Sequence, residues 1–393
     1  MSAIDLATIE GHVSSGFECV RGAFEENFSR RHELGGACCA YVRGEKVVDL
    51  WGGVRDRLTN EPWERDTMVL VNSTTKGLAA MTMAMAHSRG WLDYDACVCR
   101  YWPEFAQHGK ETTTVRQLLG HQAGLFALDV PVDRDLVADR DRLADVLARQ
   151  RPAWPPGQRQ AYHAITLGFY EAELLRRLDP RRRSLGRFFQ EEIATPLGLD
   201  LYIRLPDSIP NARLATLAPP SRVEMLTGFP LRFWLEVMKP HSNIVRALHG
   251  SELAADAHTV YARELEIPSG GGVGTARGIA RAYGAFATGG RELRLSPETL
   301  RELEAPAKPP ALGFHDECMK SDDVQFSLGF MKSTREWSFG SARSYGAPGA
   351  GGSLGFADPA VGLGYGYVTS QSGTSLVGDP RDVALRDALY SAL

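Results

Sequence analysis

Apolar residues at Ile9, Val13, Phe17, Val20, Phe24 and Phe28 recur every three or four positions, and that period predicts an amphipathic helix over residues 9–31. Two β-rich runs follow at 35–42 and 46–53, and the Arg43-Gly44-Glu45 turn between them makes a hairpin. Residues 67–72 read as an extended segment and 77–89 as a buried helix. Helical patterns then dominate, at 115–119, 140–150, 166–178, 185–193, 231–238 and 276–287. Proline-rich turns separate them, as at Trp154-Pro155-Pro156-Gly157 and Pro219-Pro220. Beyond residue 303 short strand patterns return at 326–331, 344–346, 353–356 and 363–370, punctuated by glycine, and a helix at 379–393 closes the chain.

Strand patterns at both ends with helices between them predict an α+β fold. One antiparallel sheet is built from the N- and C-terminal segments, residues 1–72 and 304–393, and flanked by the two terminal helices. A large, mostly helical lobe, residues 73–303, is inserted, and a cleft between the lobes is the expected site.

Composition narrows the function. The 393 residues are 44% hydrophobic and 23% charged with a net charge of −4, as in an ordinary globular protein large enough for a sizeable core. The densest basic run, Arg181-Arg182-Arg183, is too short to suggest nucleic acid. No run of eighteen apolar residues predicts a membrane span, and the first residues lack a secretory leader pattern, so a cytoplasmic location is expected. The six cysteines fit neither a zinc site nor a disulfide framework; Cys38 and Cys39, adjacent on a strand, should face opposite sides. No metal motif, phosphate loop or cofactor fingerprint is present.

The candidate chemistry begins at Ser73-Thr74-Thr75-Lys76. Three residues apart on a helix, the hydroxyl and the amine share a face, which sets a weak nucleophile beside a base. The non-catalytic alternative is a serine helix cap followed by a solvated lysine. Tyr162 follows the Pro-Gly turn and precedes a helix; a phenol near a lysine can exchange protons with it. His163 is a candidate to touch substrate, and Phe126, Phe229, Phe233, Trp234 and Tyr345 are candidate wall residues. His121, at the end of a short helix, reads as capping and packing. The glycine-rich stretch Pro348 to Gly355 can bring backbone N–H groups to a ligand. It contains a Gly-x-Ser-x-Gly match at Ser353, but a turn and a strand follow it instead of a helix, and no histidine lies downstream. Ser353 is therefore not the nucleophile.

Ser73-x-x-Lys76, Tyr162 and the C-terminal glycine-rich strand, in that order, resemble the serine β-lactamase-like superfamily, specifically the class C β-lactamase-like carboxylesterases (family VIII esterases). The stretches 118–125, 154–157 and 267–281 resemble the family's accessory segments. The resemblance implies Ser73 as the acylated nucleophile, Lys76 and Tyr162 as its proton partners, and the backbone N–H groups of Ser73 and Ala350 as the oxyanion hole. The family's third motif, a basic residue or tryptophan, any residue, then glycine, reads Ala347-Pro348-Gly349, and its Tyr-x-Asn reads Tyr162-His163-Ala164. Both departures remove groups that recognise an anionic β-lactam. A short-chain ester is the expected substrate. The alternatives are a β-lactamase or D-Ala-D-Ala peptidase-like acylase, an acyltransferase, or a non-catalytic binding module.

Overall fold

In a computed structural model of the chain, residues 8–221, 224–225, 235–254, 261, 263–375 and 378–393 are described. The strands among them are β1 (Ile9–Val13), β2 (Gly35–Val42), β3 (Glu45–Gly53), β4 (Val69–Leu70), β5 (Leu201–Tyr202), β6 (Val273–Gly274), β7 (Phe326–Ser327), β8 (Phe330–Lys332), β9 (Tyr345–Pro348), β10 (Leu354–Asp358) and β11 (Leu363–Thr369). Eight form one antiparallel sheet in the order β1-β3-β2-β11-β10-β9-β8-β7. The hairpin strands β3 and β2 stand next to the β1 edge, and β2 pairs with the central β11 from Val42 opposite Leu363 to Gly36 opposite Thr369. N- and C-terminal segments thus share one sheet.

The longer helices are α1 (Glu18–Arg30), α2 (Thr75–Ser88), α3 (Arg140–Arg149), α4 (Thr166–Leu178), α5 (Ala276–Ala287), α6 (Pro297–Glu304) and α7 (Pro380–Ser391). Helices α1 and α7 pack on each other. Their apolar side chains and those of one sheet face, including Cys38, make the smaller core; Cys39 faces the larger core under the helical lobe. Helix α5 falls within the stretch 73–303 yet packs across β2, β10 and β11. Helix α2 is buried at every position from Thr75 to Ala86 and touches α4, β8 and β9. It is apolar nearly all round and has no solvent face to offer.

Residues 9–13 are a strand and not the first turns of a helix. Gly11 has φ +102, outside the helical region, and the segment pairs with β3, Gly11 opposite Leu50. Of the helix expected at 231–238, residues 231–234 lie outside the described residues, as do Phe229, Phe233 and Trp234. A second sheet, β4-β6-β5, ties the segment ahead of Ser73 to the helical lobe. Among the described residues no helix is long and apolar enough to cross a membrane, and no group of three or more His, Cys, Asp or Glu could hold a metal.

Candidate active site

Val71 donates its N–H to the Gly272 carbonyl at 2.9 Å, which holds the extended segment against the 269–273 loop. The chain then turns sharply: Asn72–Thr74 form a single 3₁₀ turn, with Asn72 at φ +46, before α2 begins. Ser73 stands half-exposed on this turn and Lys76 is buried one turn later, 3% exposed. The capping alternative does not describe this geometry. The α2 N-cap is Thr74, it makes no side-chain cap bond, and the lysine is not solvated.

Lys76 Nζ has three oxygen partners: Ser73 Oγ at 3.2 Å, the Ala164 carbonyl at 2.6 Å and the Ser269 carbonyl at 2.8 Å. Nζ donates to all three, so the Ser73 hydroxyl oxygen and the two carbonyls fill its donor capacity and fix its position. The Ser269 loop is held in turn: its hydroxyl accepts the Gly168 N–H of α4 at 2.7 Å. Gly168 has to be glycine, because a Cβ there would stand 2.6 Å from the Ser269 nitrogen. Thr75 Oγ1 donates to the Asn72 carbonyl at 2.5 Å and accepts the Gly272 N–H at 2.8 Å.

Tyr162 places its ring centre 4.8 Å from Lys76 Nζ and stacks on Phe326. His121 brackets it. The His121 carbonyl accepts the Ala161 N–H at 3.0 Å and its Nδ1 accepts the His163 N–H at 2.9 Å. His163 has no exposed surface. Its Nε2 accepts the Leu125 N–H at 3.2 Å, so its proton sits on Nδ1 and points to His121 Nδ1 at 3.0 Å. Burial pushes the His163 imidazole down to about 3 and His121 well below the usual range, and the Lys76 ammonium acts in the same direction. Both rings are neutral packing groups.

The other residues expected at substrate are also interior. Phe126 is 1% exposed and stacks on Trp154; Tyr345 is fully buried against Phe330. Ala347 is buried with its Cβ beside Gly77 of α2. Gly349 presses on the turn that bears Ser73: a Cβ there would come within 2.2 Å of both the Val71 carbonyl oxygen and Ser353 Oγ. Ala350, one residue on, is exposed next to that turn, and its carbonyl accepts from Asn72 Nδ2 at 2.6 Å. Ser73, Tyr162 and Ala350 therefore keep exposed surface, with Lys76 buried beneath Ser73. Sequence reasoning gave no role to the Ala164 and Ser269 carbonyls or to Asn72. Backbone acceptors carry no residue signature, and the only local sign of Asn72 is an asparagine where a turn needs positive φ.

The sequence model of the beta-lactamase family matches residues 20–389. The Esterase/beta-lactamase LipL of Mycobacterium tuberculosis (strain ATCC 25618 / H37Rv) is 32% identical over 92% of this chain and 82% of its own. A solved family VIII carboxylesterase superposes with a TM-score of 0.86 at 35% identity, covering 98% of this chain and all of that one. A penicillin-binding protein homologue from Caulobacter crescentus does so at 0.84, also at 35% identity, covering 98% of this chain and 100% of that one. With Ser73 and Lys76 of the Ser-x-x-Lys stretch in contact and a match across nearly its whole length, this chain belongs to the beta-lactamase family.

Proposed function

We propose that the chain is a serine carboxylesterase that cleaves short-chain, uncharged acyl esters through an acyl-enzyme on Ser73. The observation that carries this is the 3.2 Å contact between Ser73 Oγ and Lys76 Nζ, with the Tyr162 ring 4.8 Å from the same nitrogen. Ser73 Oγ attacks the ester carbonyl and its proton passes to the Lys76–Tyr162 pair. The backbone N–H groups of Ser73 and Ala350 receive the oxyanion; one such donor is worth about 3 kcal/mol in the transition state. Tyr162 protonates the departing alcohol, then takes a proton from the water that releases the acid. The identity with a family VIII carboxylesterase supports the reaction class. Ala164 and Ala347 support the uncharged substrate, since neither side chain can hydrogen-bond or pair with a substrate carboxylate. The six free thiols support a reducing compartment, and we assign the chain to the cytoplasm, to be checked by cell fractionation.

The test is hydrolysis of 4-nitrophenyl butyrate by the wild type and Ser73→Ala. The variant should lose at least a thousandfold in kcat; equal rates would sink the proposal. Nitrocefin belongs in the same assay, because LipL is named both esterase and beta-lactamase. Turnover of nitrocefin matching that of the ester would move the substrate assignment to β-lactams.

A further inference from the structure

Ser353, the serine excluded as nucleophile, is not idle. It is buried, and its hydroxyl donates to the Val71 carbonyl at 2.8 Å. A hydroxyl has one proton, so the 3.1 Å contact between Thr74 Oγ1 and Ser353 Oγ is donated by Thr74. Gly349 donates its N–H to the Ser353 carbonyl at 2.7 Å. Val71 and Thr74 flank the turn that bears Ser73, and Gly349 and Ser353 flank the turn that bears Ala350. Asn72 completes the join with its 2.6 Å bond to the Ala350 carbonyl.

Asn72 makes that reach from the left-handed region, at φ +46. Asparagine tolerates this region better than other residues with a side chain, though glycine suits it best. A residue held there beside a candidate nucleophile is a reason to ask what its side chain does. Its amide restrains the carbonyl of Ala350 while Ser353 restrains Gly349 on the other side. The Ala350 N–H lies on the peptide between those two restraints, so its direction relative to Ser73 depends on both.

We infer that Asn72 is a positioning residue that aims the Ala350 N–H at the oxyanion, with Ser353 and Thr74 as the fixed side of the same clasp. This rests on the esterase reading above. Asn72 contacts neither substrate nor the reacting atoms; it acts through Ala350. Its loss should appear in the chemical step and not in substrate binding, because the oxyanion forms only after attack.

The test is Asn72→Gly, which keeps the backbone free to adopt φ +46 and removes the side chain that carries the amide. 4-Nitrophenyl butyrate kinetics, thermal melting and inhibition by an alkyl trifluoromethyl ketone are measured on the wild type, Asn72→Gly and Ser73→Ala. The ketone forms a tetrahedral adduct bearing the oxyanion. We expect kcat to fall on the order of 10–100-fold, as a misaimed donor does. KM should hold, ketone affinity should fall by a similar factor, and the melting temperature should stay within a few degrees. Wild-type kcat in Asn72→Gly, or a loss confined to KM, overturns the positioning role. A kcat loss with ketone affinity unchanged overturns it too, since a general structural defect would act that way. Ser73→Ala separates the two readings: if that variant keeps esterase activity the nucleophile assignment fails, whereas its inactivity beside an unimpaired Asn72→Gly fails the clasp alone.

Discussion

A carboxyl group inside a protein with no partner on either oxygen resists ionisation, since the charge has neither water nor a donor to stabilise it. Glu171 on α4 is such a group: fully buried, with no protein partner for either oxygen among the described residues. Its Oε1 lies beside Gly329, which also abuts Ala80 of α2, one turn on from Lys76, and the buried Tyr94 hydroxyl, which likewise has no partner among the described residues, lies within its electrostatic reach. Burial holds the Glu171 carboxyl well above its usual range, against the pull of the Lys76 ammonium. The sign follows. Above pH 4.5 the unfolded chain gives up this proton and the folded chain keeps it, so stability declines as pH rises toward the folded value. The slope is about 1.4 kcal/mol per pH unit. Glu171→Gln removes that titration at nearly constant volume. The melting temperature of the variant relative to wild type should therefore climb between pH 5 and 8, and parallel curves would refute this account. His121 and His163 act oppositely. Their depressed values give stability that is present above pH 6.5 and lost on acidification, so both proteins should share that acid limb.

At the scale of elements, the helix–loop contact that holds the Ser269 carbonyl on Lys76 has no room for a single added carbon. Gly168→Ala would put a Cβ 2.6 Å from the Ser269 nitrogen and 2.7 Å from the Pro268 carbonyl carbon, both backbone atoms that cannot rotate away. The loop must shift and carry the Ser269 carbonyl off Lys76. Overpacking of this kind costs about 1–3 kcal/mol, and esterase kcat should fall at least tenfold at temperatures where the variant remains folded. A melt and a rate within error of wild type would show the loop to be compliant. That contact also marks where sequence reading stops. Helices 115–119, 166–178 and 276–287 were legible to the residue because period and punctuation agree locally; Thr114 and Thr275, for example, cap theirs with side-chain bonds. Residues 9–13 misled because Ile9 and Val13, four apart, satisfy the helical and the strand period alike, and only Gly11 signals the strand. The two-residue strand at Leu201 exists through pairing with Val273–Gly274, seventy residues away, and has no local sign. In the site, the Ser73–Lys76 contact was legible because the 3₁₀ turn that bears Ser73 runs straight into α2, so residues three apart still meet. His163 was misplaced because neighbouring side chains on an extended segment point opposite ways, so the residue after Tyr162 faces the interior.

The whole molecule depends on joining its two ends, and one buried charge does much of that joining behind the candidate site. Arg381, at the start of α7, donates Nη1 to Glu33 at 3.3 Å, to Thr369 at 3.1 Å and to the Gln371 carbonyl at 2.8 Å. Its Nε and Nη2 bind Asp379 at 2.9 and 2.7 Å, and Nη2 also reaches the Gly351 carbonyl at 3.5 Å, one residue past Ala350. Tyr367 and Thr369 of β11 add hydroxyls on Glu33, which Leu34 joins to the start of β2. The side chains of Arg381, Glu33 and Asp379 are at most 4% exposed. Burial raises the Glu33 carboxyl and the guanidinium opposes that rise, so the arginine is what makes two acids tolerable in one dry site. Arg381→Gln strands both of them. Removing one partner of a buried ion pair costs about 3–5 kcal/mol, and here it also frees the turn beside Ala350. The urea midpoint should drop accordingly, and the residual folded enzyme should show lowered kcat. The double variant Glu33→Gln/Arg381→Gln should recover part of the lost stability, since it removes one stranded acid together with the cation. A midpoint for Arg381→Gln within about 1 kcal/mol of wild type would mean that strand pairing between β2 and β11 closes the sheet without help from the charge network.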